Sequence, residues 1–78
     1  MAVEIKQRAE QVSGISNVAY DLMTVLANKL EGIAAMEEYK VDAQNARDQE
    51  VQDCFEQLEQ RAREDVGRLK DLLTQRLR

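Results

Sequence analysis

Apolar residues recur along this chain at helical spacing in two long runs. In the first, Ile15, Ala19, Leu22, Leu26, Leu30 and Ile33 follow one another at intervals of three and four, with Val18, Met23 and Met36 alongside. At 100° per residue these positions share one face, which predicts an amphipathic helix over about residues 17–44. Ser16 or Asn17 is placed to cap it, since either side chain can accept from amides that a first helical turn leaves without partners. The second run comprises Val51, Phe55, Leu58, Ala62, Val66, Leu69 and Leu73, flanked by Cys54, Asp65, Leu72 and Leu77. It predicts a helix over about residues 48–77, with Asp48 as N-cap and Glu50 adding negative charge near the positive end of the helix dipole. The polar stretch Gln44-Asn45-Ala46-Arg47 separates the two runs. Residues 1–14 form a lead segment in which Val3, Ile5, Ala9 and Val12 are weakly helical in spacing, and Ser13-Gly14 interrupts it.

A break this short makes the two helices antiparallel neighbours, so residues 15–78 are expected to fold as an all-α helical hairpin. The absence of proline and the presence of three glycines agree with long helices and argue against sandwiches and barrels. Both apolar stripes look wider than the two positions per heptad that a simple two-helix seam consumes. A second hairpin packed face to face would bury the remainder as a four-helix bundle. A single core of this size rarely supplies more than about 3–5 kcal/mol. The expected partner is therefore another copy, giving a dimer or a multiple of dimers.

Composition narrows the chemistry. With 78 residues there is room for one small domain. The chain has no histidine and one cysteine, Cys54. This removes Ser-His and Cys-His nucleophile pairs, His-ligated metal sites, intrachain disulfides and multi-cysteine clusters. No apolar run is long enough to span a membrane, and no apolar signal-peptide core is visible, so a cytoplasmic location is expected. The net charge is −4, with few aromatics, which makes nucleic acid an unfavourable partner. Basic residues gather at the end, in Arg68, Lys70, Arg76 and Arg78. Cations there complement the negative end of a helix dipole, and they also offer a docking tail for an acidic partner.

The stretch from Leu30 to Leu73 resembles half of a ferritin-like four-helix bundle, closest to rubrerythrin-like proteins and encapsulated ferritins. The resemblance rests on "KVDA" closing the first helix, "EV" opening the second, and "F…R-x-E-D…L-x-x-LL" along it. It implies a hairpin that dimerises around inward-facing iron ligands, a glutamate on the first helix and Glu-x-x-His on the second. By the same resemblance the first-helix ligand position falls on Leu30, the Glu-x-x-His pair on Ala62 and Asp65, and an inward aromatic on Glu37. Leucine and alanine at ligand positions turn an iron pocket into core, so no ordinary di-iron site is expected.

The residues singled out for chemistry are Glu37 and Asp65. In a two-fold dimer each would occur twice near the bundle axis, where four carboxylates need cations, protons or solvent to coexist. Oxygen-only ligands suit a hard ion such as manganese. Glu31 and Glu38 are further candidates, although both project towards solvent. A plainer expectation gives Glu37 the neighbouring Lys40 and gives Asp65 the neighbouring Arg61, as local helical pairs. Glu59 with Arg63 is expected as an exposed pair of the same kind, Cys54 as a small packed hydrophobe, and Tyr20 and Tyr39 as packing groups. Two functions follow. The first is a non-enzymatic assembly or interaction module without cofactor, open to an unidentified protein partner. The second is an iron- or manganese-binding protein with iron oxidation or storage at a rearranged all-carboxylate site.

Overall fold

The computed structural model describes residues 14–77, so all of the lead segment except Gly14, together with Arg78, lies outside the described residues. Two helices of 29 residues each make up the fold, α1 from Asn17–Asn45 and α2 from Gln49–Leu77. At 1.5 Å per residue each is roughly 43 Å long. They lie antiparallel, and the cross-helix contacts step outward from the turn: Tyr39 with Phe55, Glu37 with Arg63, Lys29 with Asp65. The hairpin expected from the sequence is therefore the fold. No helix among the described residues is long and apolar enough to cross a membrane.

Both helix starts are capped as the sequence implies. Ser16 takes an extended backbone conformation, and its Oγ accepts from the Ala19 N–H at 3.2 Å. Asp48 Oδ1 accepts from the Val51 N–H at 3.1 Å. The end of α1 is a Schellman motif. The Arg47 N–H donates to the Gln44 carbonyl at 3.0 Å and the Asp48 N–H to the Ala43 carbonyl at 2.9 Å. This closure requires a left-handed residue just past the helix, normally glycine. Here Arg47 occupies it, with φ 56°.

The buried seam follows a strict alternation of three and four. On α1, Ala19, Leu22, Leu26, Lys29, Ile33, Met36, Lys40 and Ala43 are all buried or half-buried. On α2, the same holds for Gln52, Phe55, Glu59, Ala62, Val66, Leu69 and Leu73. This is the 3.5-residue period of a coiled coil. It corrects the expected stripes at three positions, Val51 giving way to Gln52 in the seam. Leu30 is 50% exposed, with Lys29 in the seam beside it, and Leu58 is 43% exposed, with Glu59 in the seam beside it. The core is correspondingly thin. Its buried apolar residues are Ala19, Ile33 and Ala43, and no large side chain is fully enclosed among the described residues.

Candidate functional site

Each helix carries a second heptad-spaced stripe on either side of the seam, and the two sides differ in chemistry. On one side, Glu37 of α1 stands near Arg63 of α2, its Oε1 3.5 Å from Arg63 Nη2 and 3.4 Å from Lys40 Nζ. Lys40 is the hub. Its ammonium donates to Glu56 Oε2 at 2.9 Å and reaches Glu59 at 3.3 Å. Arg63 Nε lies 3.4 Å from Glu59 Oε2, one helical turn back. Glu59, expected in solvent, is only 4% exposed, because the 3.5-residue period turns it into the seam. A buried carboxylate is costly unless charge and hydrogen bonds are supplied. Lys40 comes from the facing helix to supply them.

The electrostatics of this cluster follow from its geometry. The Lys40 ammonium and the Arg63 guanidinium hold the Glu59 carboxyl below its ordinary range, against the opposing effect of burial. Lys40 is held above the ordinary lysine value, foremost by its hydrogen bond to Glu56 and then by Glu59 and Glu37, again against burial. The five side chains set three carboxylates against two cations, with Glu59 Oε1 left without a hydrogen-bond partner.

The other side is apolar. At seven-residue intervals α1 presents Val18, Val25, Gly32 and Tyr39, and α2 presents Val51, Leu58, Asp65 and Leu72. Val18, Val25, Tyr39 and Leu58 are exposed large apolar side chains. Two shallow grooves, each of about 320 Å³, run along this side. The groove near the turn is lined by Tyr39, Ala43, Ala46, Val51 and Phe55, with Asp42 and Asp48 at its edge. The groove near the open end is lined by Val25, Leu69 and Leu72, with Lys29, Asp65 and Arg68. Tyr39 and Phe55 meet at a centroid distance of 6.2 Å with rings tilted by 54°, a tilted ring contact between the helices.

The candidate metal residues are dispersed among cations. Glu37 has the expected Lys40 and also Arg63. Asp65 pairs across the hairpin, its Oδ2 3.2 Å from Lys29 Nζ, where the sequence pointed to Arg61. Glu31 and Glu38 are exposed. Among the described residues no three His, Cys, Asp or Glu side chains converge as a metal-holding group. Cys54, expected to pack, is exposed. Near the end of α2 the Arg76 guanidinium donates to the Leu72 carbonyl at 3.3 Å, the dipole-capping use of a terminal cation.

Comparison with known protein families, curated proteins and solved structures finds no match to this chain. Sequence reasoning missed Lys29, Lys40 and Glu59 as seam residues. Their signal was the strict heptad spacing, which reads charge and hydrophobe alike.

Proposed function

We propose that the chain is a non-enzymatic helical assembly module whose copies pair to complete a four-helix bundle. One observation carries this reading. The hairpin encloses so little apolar surface, while Val18, Val25, Tyr39 and Leu58 remain exposed beside its seam. Burial contributes about 25 cal/mol per Å² of apolar surface, and the surface still available for it lies outside the hairpin's own seam. A monomer of this size is marginal, and association is the ordinary remedy.

The carboxylates favour a structural role. Glu37 is matched by Lys40 and Arg63, and Asp65 by Lys29. A cation drawn to either would compete with a lysine or arginine already in place. Native mass spectrometry with ferrous iron and manganese titrated in tests both parts of the proposal. The expected result is an even-numbered assembly without stoichiometric metal. A monomer at all concentrations would overturn the assembly. Discrete metal masses lost on Glu37→Ala or Asp65→Ala would replace it with the metal-binding function.

A further inference from the structure

We infer that the apolar side of the hairpin receives the same side of a second copy running antiparallel, the turn of one hairpin lying against the open end of the other. This rests on the assembly reading and adds the face and the direction.

The face is assigned by its period. The exposed stripes recur every seven residues, next to seam residues of the same helices. Each helix thus carries two adjacent heptad seams, and a four-helix bundle requires two of every helix. The first seam is filled by the hairpin itself. The second has the same spacing and apolar character, so an identical copy supplies a matching surface under two-fold symmetry. On the opposite side a partner would have to desolvate the five-residue ion cluster around Glu59, whereas on the apolar side the charges in its open-end groove are the half-exposed Lys29–Asp65 pair and Arg68.

The direction is assigned by charge. The groove near the turn is edged by Asp42 and Asp48. In the groove near the open end Lys29 and Asp65 neutralise one another, which leaves Arg68. An antiparallel pair brings the acidic end of each copy to the basic end of the other. A parallel pair would stack aspartates on aspartates and arginines on arginines. Gly32, halfway along α1, agrees with a close crossing there. A Cβ built on it meets no side chain or other helix within 4 Å, as is also true of Gly67 away from this face, so the position has room for a partner without itself assigning one.

Cys54 reports the direction. It is the chain's lone cysteine, is exposed, and lies on the turn side of Arg63, the midpoint of α2. In an antiparallel dimer centred on the helix midpoints, two such sites stand roughly 27 Å apart along the axis. In a parallel dimer they stand level.

The experiment is light scattering on the full chain, followed by pulsed dipolar spectroscopy with a spin label on Cys54. The expected result is a dimer with a label distance of about 27 Å or more. Leu58→Glu should raise the dimer dissociation constant at least about tenfold, with helicity retained at high concentration. Should that variant unfold, Gly32→Leu asks the same question through steric bulk. A dimer with labels closer than about 20 Å would overturn the direction, on the same 1.5 Å rise. A dimer indifferent to both substitutions would overturn the face, and in either case self-assembly itself would stand. A monomer, including one whose apolar side is covered by residues 1–13, would overturn the assembly reading as well.

Discussion

Glu37, Glu56 and Arg63 close over Lys40 and Glu59 on one side of the hairpin seam. On the other side Val25, Tyr39 and Leu58 stand exposed beside shallow grooves. Both sides are generated by the same seven-residue period on the same two helices. What separates them is whether the groups beside the seam can satisfy one another within a single chain. Charges can, because three acids, a lysine and an arginine of the two helices come within ion-pair distance. Apolar groups gain only by leaving water, and two helices cannot enclose them. The ion cluster is thus paired within one copy, whereas the exposed apolar groups, most of them beside the grooves but Met23, Leu30 and Leu77 on the charged side, need another surface.

Ile33 lies between the two sides and is the largest of the buried apolar residues, so removing its bulk should have the greatest effect. Ile33→Ala is expected to cost about 2–4 kcal/mol, read as a shift of the urea midpoint at constant protein concentration. A loss below about 1 kcal/mol would mean that the seam contributes little, and that the apolar side carries the stability.

The charged side is tested next by taking it apart in two ways. Lys40→Met leaves the Glu59 carboxylate buried with only Arg63 and Glu37 beside it, and should lower the melting temperature. Replacing both partners, as Lys40→Met with Glu59→Leu, should recover much of that loss, because no charge is then left in the seam. Equal melting temperatures for the single and double variants would show that the cluster contributes through its geometry and not by cancelling its own burial. The same cluster sets a pH dependence. The depressed Glu59 carboxyl stabilises the fold above its ordinary value of 4.5, and that contribution is lost as pH falls through its lower folded value. Raised Lys40 stabilises the fold below its ordinary 10.5, and its share is lost as pH rises through the higher folded value. Melting curves across pH should show a plateau between these limits, and Glu59→Gln should flatten the acid limb.

The turn gives smaller effects that leave both sides of the seam intact. Asp48→Ala removes the cap of α2 and should cost about 1 kcal/mol. Arg47→Gly should stabilise by up to about 1 kcal/mol, because glycine takes the positive φ without a Cβ penalty. A melting temperature lowered by that substitution would show that the arginine side chain outweighs its backbone strain. The smallest change is Lys29→Ala, expected to cost a few tenths of a kcal/mol because its pair with Asp65 is half exposed.

The helices and their caps were legible in the sequence. Ser16 and Asp48 precede apolar periodic runs, and the local rule that reads them needs no tertiary context. The hairpin followed from the short polar break. The seam was legible only in part. Reading by hydrophobicity chose Leu30 over Lys29 and Leu58 over Glu59, and so drew stripes of mean period 3.6. The real seam keeps a period of 3.5 and accepts two lysines and a glutamate, because each finds its counter-charge on the opposite helix. That compensation is a property of pairs, invisible along either helix alone. Asp65 escaped for the same reason, since Lys29 became its partner only once the helices were laid side by side. The Schellman turn was hidden by an arginine standing where the motif normally signals itself with glycine.

The Lys40–Glu59 layer also bears on how far one helix can slide past the other. An apolar seam repeats every heptad, so a shift of α2 by seven residues would exchange one hydrophobe for another at little cost. With the charged layer present, that shift brings Gln52 or Val66 to Lys40 and carries Glu59 away to an apolar level. Of the alignments that a repeating pattern permits, the ammonium and the carboxylate together leave one without an isolated charge, and the hairpin closes at a single notch.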